Sequence, residues 1–545
     1  MGEHMLGLMQ DHQLLISSIF EHATKSYPTQ KIVSNTVEGG IHSYTYKEWG
    51  SRTKRLANAL KSFGLKIGDR VGTLAWNGYR HLELYYATSS SGYVCHTLNP
   101  RLHHEQISYI VNHAEDKILF VDLNIAPLIE EAAKSFNSIK AVVVMTNKEN
   151  MIDLNIPNNI EILCYEEFIE KQTDEFDWPE LDERTASSLC YTSGTTGNPK
   201  GVLYTHRSTV LHAFGVNLKD AIPYGSKDCV LPVVPMFHVN AWGTPYAALM
   251  CGSKIVFPGS KLDGESLTEL MNAEKVTISL GVPTVWLLLL NYLRSSGKKL
   301  ETVQRLIIGG SACPRTLFEG FGEEYNVDVI HAWGMTEMSP IGTANNPLFN
   351  MNPKDKKEYY DQKIPQGRTV FGHEMKLLDD DGNEVEQDGT SQGRLLSRGY
   401  WVLKSYYNDD TQKDRFFEGG WFDTGDIATI DQNGFMTITD RNKDIIKSGG
   451  EWISSIDLEN ICVGHPDVAN AAAIAVPDEK WDERPMIIVQ PMPGKNLNEK
   501  QILDYYEGKI AKWMIPDSVV FTENIPLGAT GKILKNKLRD MFVKN

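Results

Sequence analysis

An alternation limits what this 545-residue chain can become. Through the first three quarters, short apolar runs rich in β-branched residues recur between stretches of helical periodicity. They lie at 140–145, 229–234, 254–257, 276–280, 305–308 and 327–331. Strands alternating with helices imply parallel or mixed sheets covered by helices, an α/β architecture. A chain this long exceeds what one hydrophobic core supports, so several subdomains are expected. Around Gly419 the texture changes. Segments 421–430 and 435–440 read as strands joined at Gln432-Asn433-Gly434. Asn-Gly there predicts a type I′ turn, in which both central residues take positive φ. The polar stretch Asp440-Arg441-Asn442-Lys443-Asp444 reads as a linker. Beyond it, helical patterns at 455–463 and 499–509 mix with strands at 471–476 and 486–490. The expected division is a large multi-subdomain α/β domain over 1–439 and a small mobile α+β domain over 440–545.

Composition narrows the partners. With 41% hydrophobic and 23% charged residues the chain has the make-up of a soluble globular enzyme. A net charge of −16 sets a long-range field against nucleic acid and anionic membrane alike, so no nucleic-acid partner is expected. Any site for a polyanion must gather local cations and backbone N–H groups against that field. The seven cysteines are scattered and never form Cys-x-x-Cys, which fits reduced thiols in the cytoplasm. No apolar run reaches the ~18 residues a spanning helix needs. The N-terminus lacks a basic region followed by an apolar core, so no secretory signal is expected. The run Lys354-Asp355-Lys356-Lys357 reads as a solvated loop or helix face.

One segment stands apart. A strand pattern at 187–191 runs into Thr192-Ser193-Gly194-Thr195-Thr196-Gly197-Asn198-Pro199-Lys200-Gly201. Glycines let backbone amides turn toward an anion, hydroxyls add donors, and Lys200 adds a cation. It is not a Walker A loop, because Lys200 lies three residues after Gly197 and precedes Gly201. A flexible surface turn is the bland alternative; the density of hydroxyls directly after a strand favours phosphate.

Other sets are weaker alone. Ala332-Trp333-Gly334-Met335-Thr336-Glu337-Met338-Ser339-Pro340 offers a stacking plane, a hydroxyl for phosphate and a carboxylate for Mg²⁺, but also suits a capped helix start. Gly309-Gly310-Ser311-Ala312 reads as a strand-end turn. Asp426, in Trp421-Phe422-Asp423-Thr424-Gly425-Asp426, is a carboxylate able to accept from two ribose hydroxyls. Lys532, in Gly528-Ala529-Thr530-Gly531-Lys532-Ile533, would ordinarily be a solvated charge. Ile446-Lys447-Ser448-Gly449-Gly450-Glu451-Trp452 fits a turn or a second anion nest.

Together these segments resemble the motifs of the adenylate-forming superfamily, which includes acyl- and aryl-CoA ligases, firefly luciferases and peptide-synthetase adenylation domains. The motifs occur in that family's order across essentially the whole chain. The resemblance implies that Thr192 to Gly197 and Lys200 handle the phosphates of ATP. It places Gly309, Gly310, Ser311 and Ala312 along the adenine and acyl sites, and Trp333, Gly334 and Met335 near the adenine. Thr336 and Glu337 fall to phosphate and Mg²⁺, and Asp426 and Arg441 to the ribose. Asp440 matches the hinge. Lys532 matches the lysine that bridges the acyl carboxylate and the nucleotide, aligning oxygen with Pα. The loop Lys447-Ser448-Gly449-Gly450-Glu451 is implied to enter for the second half-reaction, with CoA. The implied activity turns a carboxylic acid, ATP and CoA into acyl-CoA, AMP and pyrophosphate. No protein nucleophile is required.

Pro235-Met236-Phe237-His238-Val239-Asn240-Ala241-Trp242-Gly243 resembles the family segment that lines the acyl pocket. Amino-acid-activating relatives place an Asp straight after the Phe; His238 stands there. A buried ammonium without a carboxylate is costly, so amino acids are disfavoured. Val239, Trp242 and Gly243 suggest an apolar slot with His238 at its wall or gate, although a satisfied core histidine is the bland reading. His96-Thr97-Leu98-Asn99-Pro100-Arg101 and the Trp333 motif resemble the bacterial fatty-acyl-CoA ligase branch, which contains 3-methylmercaptopropionate–CoA ligases. The expected acid is 3-methylmercaptopropionate or a short-to-medium-chain fatty acid, with a long-chain acid as the alternative. An adenylating enzyme that loads a carrier protein is a further alternative, weakened because no carrier module follows Lys532. A luciferase-like oxygenase and a non-catalytic nucleotide-binding protein are the other competitors. A homodimer is left open.

Overall fold

In a computed structural model of the chain, residues 5, 7–192, 198–441, 443–448, 451–478, 480–528 and 531–543 are described. Their strands form four sheets of nine, seven, five and five strands, with helices between them, as the alternation implied. In the nine-stranded sheet six neighbours run parallel: Asp328–Gly334, Arg305–Ile308, Ile278–Gly281, Cys229–Pro232, Lys254–Phe257 and Lys31–Asn35. Antiparallel strands close both edges. The seven-stranded sheet is parallel from Glu161–Cys164 through Ala186–Tyr191, and Gly201–Thr205 returns antiparallel at its edge.

The sequence explains these sheets. Ile118–Asp122 (ILFVD) and Ala141–Met145 (AVVVM) are buried at every position, as strands covered on both faces must be. Helices pack over them through apolar stripes such as Ile107, Ile110 and Val111. The lysine run at 354–357 opens the helix Lys356–Asp361, where Asp355 accepts from the Glu358 amide at 2.8 Å and the lysines stay solvated.

One five-stranded sheet pairs Trp421–Ile430 with Met436–Arg441. The hairpin between them differs from expectation. Gly434 has φ 81°, but Asn433 is not in the positive-φ region. The Asp431 carboxylate accepts from the Asn433 and Phe435 amides, both at 2.8 Å, and the Asp431 carbonyl accepts from Gly434 at 2.9 Å. An Asp at the turn's start supplies the local hydrogen bonds of an Asx turn, so one left-handed glycine suffices. The strand also runs through Arg441, beyond the expected end at 440.

The last sheet contains Ile446–Ser448, Glu451–Ile453, Val468–Asp478, Asp482–Pro491 and Ser518–Phe521. The helices Ser455–Val463, Glu499–Tyr506 and Lys535–Phe542 pack around it. It carries its own apolar core around Ile453, Leu458, Ile487 and Ile502. Among the described residues no helix is long and apolar enough to cross a membrane.

Candidate active site

Parallel strands end together, and loops leaving their carboxyl ends leave a crevice between them. Val234 and Pro235 follow Cys229–Pro232, Val282 follows Ile278–Gly281, and Gly309 and Gly310 follow Arg305–Ile308. All of these line one cavity of about 430 Å³, as do Ala332 to Glu337 at the end of Asp328–Gly334. That volume lies in the range of small-molecule sites.

The cavity has two chemistries. Ile222, Val234, Pro235, Val239, Trp242, Val282 and Ile341 give it an apolar wall. Thr192, Lys200, Thr336, Glu337, Arg415, Arg441 and Lys443 give it a polar, mostly cationic wall. With Lys532, five cations line one site of a chain whose net charge is −16. Lys532 sits on a turn in which the Gly528 amide donates to the Lys532 carbonyl at 2.6 Å, and the Thr284 hydroxyl donates to the Gly531 carbonyl at 3.4 Å. Gly310 takes φ 83°, a conformation glycine adopts without strain, and its Cα side packs against Lys532 Cε. Burial, together with the like charge of Arg441, pushes the Lys532 ammonium down to about 8.

Trp333 and Asp426 meet from different sheets. The indole Nε1 donates to Asp426 Oδ2 at 3.0 Å, and Gly342 packs against the ring. Asp426 and Arg441 are cross-strand partners, with Arg441 Nε 2.8 Å from Asp426 Oδ1. The approach is not aligned as a hydrogen bond, and Asp426 itself is buried behind the cavity lining, which Arg441 and the neighbouring Thr424 and Gly425 reach. The Asp426 carboxylate holds the Arg441 guanidinium above its ordinary value.

Two residues that sequence reasoning missed complete the polar wall. Tyr406 donates to Glu337 Oε1 at 2.7 Å, and Arg415 Nη1 donates to Tyr406 Oη at 3.1 Å. Arg415 is itself fixed by bonds of 3.0 and 2.6 Å to the Asp423 carbonyl. The one signal was a tyrosine pair, Tyr406-Tyr407, in an otherwise polar stretch. Lys443, read as linker, also faces the cavity.

His238 lines the cavity beside Val239 and Trp242. Burial, and then the charge of Lys532, push its imidazole down to about 3, so it is a neutral wall residue at ordinary pH. The chain from Val239 to Trp242 forms a left-handed turn with φ between 47° and 56°. Left-handed helix costs roughly 1–2 kcal/mol for each non-glycine residue.

Three expected wall residues are elsewhere. Gly243 lies outside the lining: it ends the left-handed turn at φ 75°, and its Cβ position is 2.6 Å from the ring of buried His212. Ser311 and Ala312 are also outside, because the positive φ at Gly310 turns the chain away toward the helix Arg315–Glu319. Lys447 and Ser448 lie on the C-terminal sheet, where the Lys447 amide donates to Glu483 at 2.8 Å and Arg484 donates to Ser448 Oγ at 3.0 Å. Glu451 begins the neighbouring strand. Ser193, Gly194, Thr195, Thr196, Gly197, Gly449 and Gly450 lie outside the described residues.

An α/β fold whose crevice joins a cationic wall to an apolar one, with a lysine of the C-terminal portion between them, defines an adenylate-forming ligase. Comparison with known proteins agrees over the full length. Residues 20–407 match the model of the AMP-binding enzymes, and 457–532 match that of the AMP-binding enzyme C-terminal domain. A 3-methylmercaptopropionyl-CoA ligase of Ruegeria lacuscaerulensis is 50% identical, with 99% of each chain covered. A medium-chain-fatty-acid–CoA ligase of Ectopseudomonas oleovorans is 48% identical over 99% of this chain and 98% of its own. The crystal structure of the anthranilate CoA ligase AuaEII with anthranoyl-AMP superposes with a TM-score of 0.86 at 25% identity, covering 98% of this chain and 99% of its own. The chain belongs to the AMP-binding enzyme family, and it is an AMP-forming acyl-CoA ligase.

Proposed function

We propose that the acid is 3-methylmercaptopropionate or a short- to medium-chain fatty acid, activated as an acyl-adenylate and passed to CoA in the same cavity. The observation that carries this is the single cavity in which an apolar wall meets Lys532 and the cationic wall. The relatives that act on a thioether acid and on medium-chain acids support the same range. Without an acidic residue beside His238 the apolar wall offers no partner for an α-ammonium, which disfavours amino acids.

In the first step a carboxylate oxygen attacks Pα of ATP and the bond to pyrophosphate breaks. Both reactants are anions. The Lys532 ammonium offsets their repulsion and aligns the attacking oxygen. Asp426 and Arg441 are assigned to the ribose, with Arg441 on the cavity wall near Trp333 and Asp426 paired to both. Lys200, Thr192 and Thr336 take phosphate oxygens. Glu337 fits Mg²⁺, which asks for only one or two carboxylates: among the described residues it is the carboxylate on the cavity wall, oriented by Tyr406. Mg²⁺ would supply charge to the phosphate oxygens. In the second step the CoA thiolate attacks the acyl carbon and AMP leaves.

The second step needs other groups at the same carbonyl. We assign them to the 447–451 loop, brought in by rotation of a domain spanning 440–545 against 1–439 about Asp440. Asp440 suits a hinge: its backbone pairs with Ile427, while its carboxylate accepts from the Ser455 amide at 2.7 Å and hydroxyl at 2.8 Å. A cytoplasmic location is supported by seven free cysteines.

Pyrophosphate release and thioester formation, measured across acids from acetate and 3-methylmercaptopropionate to palmitate, test the acid. A maximum among short to medium chains is expected. A flat profile, or one led by amino acids or palmitate, contradicts the assignment.

A further inference from the structure

The apolar wall rests on a strained piece of backbone. Val239, Asn240, Ala241 and Trp242 have φ of 47°, 51°, 47° and 56°, and Gly243 follows at 75°. Side chains with a Cβ avoid this conformation, and asparagine tolerates it best because its short amide bonds locally. Asn240 is also the residue of the turn whose polar side chain is buried, at 5% exposure. Its Nδ2 donates to Ser188 Oγ at 3.1 Å, and its Oδ1 accepts from Cys190 Sγ at 3.5 Å. Cys190 Sγ lies 3.2 Å from Thr97 Oγ1, which donates to the Phe237 carbonyl at 3.3 Å. The strand Ala186–Tyr191, which leads into cavity residue Thr192, is thereby tied to both sides of His238. Upstream, Asn77 accepts from the Met236 amide at 2.6 Å and donates to the Pro232 and Val234 carbonyls at 2.9 Å. The wall segment is anchored at its start by Asn77 and at its turn by Asn240.

We propose that Asn240 is a positioning residue for acid specificity. It does not line the cavity; it holds the left-handed turn that presents His238, Val239 and Trp242 to the acid, and it fixes that turn to the strand feeding the phosphate loop. The proposal rests on the assignment of this wall to the acyl group. Strain of this kind persists only where surrounding structure over-determines it; here the Ala241 amide donates to the Pro235 and His238 carbonyls at 3.2 Å, and the two side-chain hydrogen bonds of Asn240 tie the turn to the neighbouring strand.

Two variants of the full chain test it. Asn240→Gly keeps the left-handed backbone accessible but removes both bonds, and Ser188→Ala removes one bond from outside the turn. The acid preference of the wild type is measured first, so a wild type without aliphatic-acid activity counts against the wall assignment itself. Asn240→Gly is expected to raise KM for the preferred acid roughly tenfold, as loss of one to two buried hydrogen bonds implies, with KM for ATP changed less than about twofold. Its profile across acid chain lengths should broaden. Ser188→Ala should shift the same two readouts in the same direction by a smaller factor. A lowered melting temperature with an unchanged chain-length profile in both variants, or equal increases in KM for acid and ATP, would overturn the proposal and leave Asn240 a structural residue only.

Discussion

At the scale of single residues, the site is governed by what burial does to Lys532. An ammonium pushed down to about 8 still carries its charge at neutral pH but loses it where an ordinary lysine would not. The role proposed for it needs the charged form. The kcat/KM for the acid, which reports groups of the free enzyme, should therefore fall as pH rises through about 8. Saturation with ATP should move that limb upward, because phosphates stabilise the charged form. A pH–rate profile with and without saturating ATP checks both. At this scale Trp333, Glu337, Asp426 and Lys532 were marked by motifs that occur in the family's order; read alone, Lys532 is a solvated charge and Asp426 a polar strand end. Tyr406 and Arg415 were not so marked. Their value lies in bonds to residues such as Glu337, 69 positions away, and no local pattern marks such a partner.

At the scale of elements, strand patterns were legible where burial on both faces leaves a continuous apolar run. The runs at 254–257 and 305–308 match the strands Lys254–Phe257 and Arg305–Ile308 in both bounds. The hairpin at 431–434 was misread because a side chain outbid the Asn-Gly signal. The same blindness hid the connection around Asp440. There Lys535 Nζ lies 2.7 Å from Glu459 Oε1 and donates to Ser455 Oγ at 2.5 Å, beside the Asp440 carboxylate. Burial would lower the Lys535 ammonium, but Glu459 and Asp440 together hold it above its ordinary value. Lys535→Met would leave two buried carboxylates without their cation. We expect it to destabilise the fold by ~3–5 kcal/mol, the range for breaking a buried ion pair, seen as an earlier transition in denaturant unfolding. An unchanged midpoint would mean the cluster is already hydrated.

At the scale of the whole molecule, the reaction proposed above asks one cavity to serve two steps, each with its own groups. Lys532 is in place, while Lys447 and Ser448 lie on the C-terminal sheet outside the cavity lining. Freezing this arrangement should separate the two steps. A Cβ on Gly531 would lie 3.1 Å from Thr284 Oγ1, within reach of a disulfide between Thr284→Cys and Gly531→Cys, at the cost of a left-handed φ of 81° and a 3.1 Å contact with Val282. The oxidised pair should release pyrophosphate from acid and ATP but make little thioester until it is reduced. The most direct measurement separates the half-reactions chemically, by comparing wild type and Lys532→Ala in single turnovers. One arm supplies acid and ATP without CoA; the other supplies the preformed acyl-adenylate with CoA. We expect Lys532→Ala to lose pyrophosphate release by roughly 10²–10³, the scale for removing one transition-state charge contact, while thioester formation from the adenylate stays near the wild-type rate. Pyrophosphate release at the wild-type rate, or equal losses in both arms, would contradict the assignment of Lys532 to the adenylation step.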